Sequence, residues 1–207
     1  MPVAGDAYAS LEALLVAVRA CRACAGHLPL GPRPVLSAAA GARILVVGQA
    51  PGARVHETGI AWDDASGVKL REWMGITPET FHDAAQVAII PMGFCYPGRG
   101  KGGDLPPRPE CSELWMAPLL AKLPRIELVL LVGQYAQRRF LGARRKASLT
   151  ETTRAWREYA PRYLPLPHPS PRNTPWFQRH PWFEAEVLPE VRSRVASLLT
   201  GNASPAS

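Results

Sequence analysis

Four short apolar runs set the limits on what this chain can fold into. They are Arg43-Ile44-Leu45-Val46-Val47-Gly48, Val87-Ala88-Ile89-Ile90, Leu128-Val129-Leu130-Leu131-Val132 ahead of Gly133, and Tyr163-Leu164-Pro165-Leu166. Their apolar stretches do not alternate with polar residues, so both faces of each strand must be covered, as in a parallel sheet wrapped by helices. The intervening segments carry helical spacing. Leu11, Leu14, Leu15 and Val18 form one stripe within residues 7–20, and Val187, Val191 and Val195 form another within 183–199. Shorter helices are expected at 68–75, 112–122 and 134–141. Residues 25–41, 49–67 and 91–110 read as loops rich in Gly and Pro. Strand and helix in alternation predict an α/β fold: a three-layer α/β/α sandwich around a central, mainly parallel four-stranded sheet. In such a sheet the site lies beyond the carboxyl ends of the strands, just after residues 48, 90, 132 and 166.

The length of 207 residues fits a single domain over 1–200 with a flexible tail at 201–207. No apolar run approaches the roughly 18 residues that would cross a bilayer, and no secretory leader is evident at the start. A cytoplasmic, membrane-free protein is therefore expected. The balance of 24 basic against 17 acidic side chains, a net charge of +7, points to a polyanion as partner.

In a reducing compartment, four cysteines read better as metal or cluster ligands than as disulfides. Cys21 and Cys24 are two residues apart, and Cys95 and Cys111 enclose fifteen. Four thiolates can hold a [4Fe–4S] cluster or a zinc ion; the plain alternative is four buried thiols. A metal tie would give one shape to the Gly- and Pro-rich segment between the second pair.

Two strand-end sequences carry the chemistry. Gly48-Gln49-Ala50-Pro51-Gly52 follows the first strand, and His168-Pro169-Ser170-Pro171-Arg172-Asn173 follows the fourth. Together they resemble the two active-site motifs of the uracil-DNA glycosylase superfamily, and the Pro-Arg-Asn extension is similar to its single-strand-selective monofunctional branch. The cysteine spacing resembles the iron–sulfur branches, families 4 and 5. Asp64-Ala65-Ser66-Gly67 is similar to family 5 in particular. The resemblance covers about residues 10 to 199. It implies a monofunctional uracil-DNA glycosylase that flips a deaminated base out of single- or double-stranded DNA, hydrolyses its N-glycosidic bond and leaves an abasic site; a monomer is expected. It also implies a [4Fe–4S] cluster on Cys21, Cys24, Cys95 and Cys111.

Carried over residue by residue, the resemblance makes His168 the donor that meets negative charge on the departing base. It favours Asp64, then Asp63, for handling water, although a solvated turn would also place two aspartates there. Trp62 matches the stacking position, where a core tryptophan is the alternative. The backbones of Gln49 and Ala50 would bond the base. Arg172 would enter the gap left in the duplex, and His56 would stand at the site rim. Arg99, Lys101, Arg108, Arg138, Arg139, Arg144, Arg145 and Lys146 supply charge for the DNA backbone.

Three positions depart from the pattern. Gln49 stands where family 4 has Glu, and Ala50 where other families have the water-activating Asp. Pro91 replaces the Asn that reads the uracil edge. Reading must then fall to the Met92 backbone or to Asn173, and other deaminated bases become candidate substrates. These departures motivate a second expectation, a protein that binds abasic or damaged DNA with little turnover. An electron carrier would leave the strand-end motifs unexplained.

Overall fold

The computed structural model describes residues 8–201; the expected tail beyond Gly201 lies outside them. Strands β1 (Ile44–Val47), β2 (Val87–Ile89), β5 (Leu128–Val132) and β6 (Tyr163–Leu166) form one all-parallel sheet in the order β2-β1-β5-β6. Ile44 sits opposite both Val87 and Leu128, and Val129 opposite Tyr163. Pro165 is tolerated because β6 is an edge strand, where one row of backbone donors needs no partner. A separate two-stranded antiparallel hairpin, β3 (Arg99–Gly100) and β4 (Gly103–Asp104), stands apart from this sheet.

Alternation along each strand splits the core in two. Leu45, Val47, Ala88, Ile90, Val129 and Leu131 face one layer, which holds α1 (Leu11–Arg19) and residues of the helical segment 112–121. Ile44, Val46, Val87, Ile89, Leu128 and Leu130 face the other, with α3 (Ala65–Met74) and α10 (Leu188–Thr200). Helix α1 packs through Leu11, Leu14, Leu15 and Val18, the stripe visible in the sequence. The chain is thus an α/β/α sandwich in which every residue of these strands but Tyr163 is buried.

The expected helices appear, the one at 134–141 with the expected bounds and the others with shifted ends. The 112–122 segment opens as a wide π-type stretch, Ser112–Met116, before α6 (Ala117–Ala121), where Pro118 denies the helix a backbone donor. The 134–141 helix, α7, spans Gln134–Leu141. Four short helices fall where loops or no element were expected: α2 (Ala53–Thr58), α4 (Pro78–His82), α8 (Leu149–Arg154) and α9 (Thr174–Arg179). Each is five or six residues, too short for hydrophobic periodicity to show. The remaining helix, α5 (Pro109–Cys111), is a single turn. No helix among the described residues is long and apolar enough to cross a membrane.

Candidate active site

A pocket of about 580 Å³ opens at the carboxyl ends of the strands. The β1 end contributes Gly48 to Gly52, and the β2 end contributes Ile89 and Pro91. Trp62, Asp64 and Ser66 form another wall, and Gly102, Gly103 and Asp104 come from the hairpin. Gln134 follows β5, and His168, Ser170, Arg172 and Asn173 follow β6.

His168 is set for donation by its neighbours. Its Nδ1 accepts the Ser170 backbone N–H at 3.2 Å, so the ring proton belongs on Nε2. Its carbonyl accepts from the Asn173 side-chain amide at 2.7 Å, which pins the loop. Burial pushes the imidazole below its ordinary value, and the nearby Asp64 carboxylate pulls the other way. The lowered value leaves a neutral imidazole with a free N–H donor at neutral pH.

Trp62 carries the molecule's unusual backbone. Its φ of 59° is the one positive value among described non-glycine residues, a strained state of the kind that clusters at functional sites. Its carbonyl accepts from the Arg71 guanidinium at 3.2 Å. Its indole stacks on the His168 ring with centroids 5.6 Å apart and planes at 28°. Gly48 and Gly67 make room for this arrangement. A side-chain carbon on Gly48 would come within 2.7 Å of the indole, and one on Gly67 within 1.8 Å of the Trp62 carbonyl oxygen.

The two aspartates separate. Asp64 caps α3, with Oδ1 accepting the Gly67 N–H at 2.8 Å, and it lines the pocket. Asp63 turns to the Arg54 guanidinium at 3.6 Å and is absent from the pocket wall. Of the two, Asp64 is the one that faces the pocket.

Of the other expected contacts, Met92, Arg172 and His56 are differently employed, while Gln49 stays at the pocket. The Met92 N–H donates to the Gly48 carbonyl at 2.9 Å, and Met92 does not line the pocket, so its backbone donor is not free to read a base. Gln49 lines the pocket while its side-chain amide donates to the Leu105 carbonyl at 3.0 Å. Arg172 donates to the Gly102 carbonyl at 3.1 Å, which anchors it to the hairpin rather than leaving it free to probe DNA. His56 lies on α2 against Tyr96, ring centroids 6.3 Å apart, and is not a wall of the pocket.

The family model of the uracil DNA glycosylase superfamily matches residues 36–192. The chain belongs to the uracil DNA glycosylase superfamily. The matched span runs from before β1 to within α10 and so includes both strand-end motifs and the whole sheet.

As in the sequence, this superfamily member keeps an apolar wall where an Asn was expected: Val35, Val55, Ile89 and Pro91 all line the pocket. The uncharged amide and hydroxyl side chains that line the pocket are Gln49, Ser66, Gln134, Ser170 and Asn173. Ser66 and Gln134 were not foreseen. Ser66 was legible only as part of a motif, and Gln134 only as the residue after a strand-ending glycine. Asp104 was missed as well. The stretch Gly100-Lys101-Gly102-Gly103-Asp104 does signal a tight hairpin, since Gly103 takes a φ of 138° that other residues avoid.

All four cysteines are free, and Cys24, Cys95 and Cys111 are buried. They are neighbours: Cys24 feels Cys21 and Cys111, and Cys95 and Cys111 each feel Cys21 and Cys24. Burial pushes Cys95 up to about 11 and Cys111 to about 12. The indole N–H of Trp115 points to Cys21 Sγ at 3.4 Å. Among the described residues no three His, Cys, Asp or Glu side chains are gathered as a metal-ion site.

Several of the expected backbone-binding cations are engaged elsewhere. Arg108 pairs with Glu110 and Lys146 with Glu158, while Arg144 lies over Tyr159 and Tyr163. Arg99 and Lys101 are exposed on the hairpin beside the pocket.

Proposed function

We propose that this superfamily member is a monofunctional DNA glycosylase that hydrolyses the N-glycosidic bond of a deaminated base, uracil first among them. The observation that carries this reading is the placement of a neutral, donor-ready His168 and the Asp64 carboxylate on one pocket at the strand ends. As the bond breaks, negative charge grows on the base and positive charge on the sugar. A fixed N–H donor aimed at the first and a carboxylate near the second stabilise that separation without reorganising. The Trp62 ring offers a flat surface to a flipped base, worth about 1–3 kcal/mol in stacking. No lysine stands among the pocket's lining residues, which fits hydrolysis without a Schiff base. Net positive charge supports binding to single- or double-stranded DNA.

Cys21, Cys24, Cys95 and Cys111 fit a [4Fe–4S] cluster. The fit rests on the donor set: four free thiols near one another, three of them buried, whose thiolate forms need a cation between them. When bound, such a cluster would tie the segment after α1 to the two ends of the hairpin loop. Iron and sulfide analysis of the purified protein tests this: four of each per chain, lost in Cys111→Ala, is the expected result, and stoichiometric zinc overturns it.

The apolar wall at Pro91 favours a second reading, a protein that holds abasic or damaged DNA with little turnover. Oligonucleotides bearing uracil, hypoxanthine, xanthine or an abasic site, single- and double-stranded, separate the two. Alkali-labile product from a deaminated base supports the glycosylase. Tight abasic binding with no product from any base supports the alternative.

A further inference from the structure

Asp104 ends the return strand of the hairpin and lines the pocket. Its Oδ2 lies 3.5 Å from the point where a side-chain carbon on Gly52 would stand, and Asp64 Oδ2 lies 4.0 Å from the same point. Glycine at position 52 thus leaves a small space flanked by two carboxylate oxygens. Asp64 Oδ1 is already held by the Gly67 N–H, so Oδ2 is the oxygen it has to offer.

The hairpin is clamped from both strand-end motifs. The Gln49 amide holds the Leu105 carbonyl, next to Asp104, and the Arg172 guanidinium holds the Gly102 carbonyl, two residues before it. The Leu105 N–H closes the turn on the Gly98 carbonyl at 2.8 Å. Among the described residues Asp104 forms no ion pair. Although the residue is exposed at the rim, the walls around its carboxyl raise its pKa. Arg172 and Arg99 oppose that rise, and Asp64 adds to it. A carboxylate moved toward the operating pH is a stronger base than one at its ordinary value.

We propose that Asp104 is a catalytic carboxylate of this site: with Asp64 it holds the attacking water over Gly52, and it takes that water's proton. The proposal rests on the glycosylase reading above. The water oxygen bonds to the sugar C1′ while the C1′–N bond breaks. The bonding pair leaves with the base as an anion at His168, and the proton moves to Asp104 and then to solvent, from which the base anion regains one. The assignment accounts for Gln49 and Ala50. The first motif carries no carboxylate because one arrives from the hairpin, and Gln49 is the positioning residue that secures that hairpin.

The test is single-turnover base release by the full chain on a uracil oligonucleotide from acid to neutral pH. Asp104→Asn is expected to lose roughly 10²–10⁴-fold in rate, the span of general-base contributions. Binding to an abasic oligonucleotide should be retained. In the wild type the rate falls as pH drops through the raised pKa of Asp104; in Asp104→Asn that acid limb disappears. Formate added to Asp104→Gly should restore part of the rate, a readout that a misfolded or merely loosened hairpin would not give. An Asp104→Asn rate within about threefold of wild type, or no rescue by formate, overturns the assignment. Failure of the wild type to release any of the bases defeats the glycosylase reading itself, and is thereby distinct from an active wild type whose Asp104 is dispensable.

Discussion

The pocket has two halves of different origin. One is built on the sheet: Gln49 follows β1 and His168 follows β6, each within two residues of a strand buried on both faces. The other is built on the segment between Cys95 and Cys111, whose hairpin pairs only two residues with two and joins no sheet strand. The first half takes its precision from the packed core. The second takes it from a few discrete ties, the hydrogen bonds from Gln49 and Arg172 and the proposed cluster at its ends. Rigid placement of the proposed leaving-group donor therefore comes with the fold, whereas placement of the proposed water-side carboxylates depends on contacts that single substitutions can remove.

Beyond the Asp104 variants, the largest expected effect lies on the sheet-built half. His168→Ala should slow base release roughly 10²–10³-fold, the cost of losing one preorganised donor to developing negative charge. Its urea midpoint should shift little; single-turnover kinetics beside urea denaturation checks both. A loss under tenfold would mean that the hairpin side carries the catalysis. Next, Gly67→Ala places a carbon 1.8 Å from the Trp62 carbonyl. It should lower unfolding free energy by about 1–3 kcal/mol, the cost of overpacking, read from the urea midpoint. A neutral result would show that the strained Trp62 turn can relax.

The third prediction concerns pH. Burial lowers the folded-state pKa of His168 below its ordinary 6.5. Below that value the unfolded chain takes up a proton the folded chain refuses, so stability falls as pH falls, by at most about 1.4 kcal/mol per pH unit. Denaturation of wild type and His168→Asn between neutral and mildly acid pH isolates this slope, which the variant should lack. The smallest effect belongs to the hairpin tie. Arg172→Ala removes one hydrogen bond to the Gly102 carbonyl, worth about 0.5–1.5 kcal/mol. It should slow base release roughly three- to tenfold and increase amide exchange in 99–105 while leaving β1 and β6 protected. Equal exchange in both regions would erase the distinction between the halves.

The same division explains what could be read from the sequence. The four strands are visible because burial on both faces forces unbroken apolar runs, and β5 and β6 begin and end where the runs do. The strand-end motifs are visible because a parallel sheet dictates where a site must lie. The hairpin half is opaque. Glycines at 98, 100, 102 and 103 announce a turn but not where it points, so Asp104 looks like any solvated turn aspartate. Its approach to Asp64 depends on tertiary ties between residues 49 and 105 and between 102 and 172, for which local sequence has no signature. The Asp63–Asp64 pair is ambiguous for a related reason: which carboxylate caps α3 and which meets Arg54 is settled by one backbone turn at Trp62.

The most direct test of the account is mass spectrometry of a single-turnover reaction between the purified chain and an oligonucleotide carrying one uracil. The account predicts free uracil equimolar with a strand that has exchanged its base for a hydroxyl, its backbone intact and no adduct trapped by borohydride. An unchanged strand at stoichiometric protein, or a strand cleaved through a trapped adduct, would contradict it.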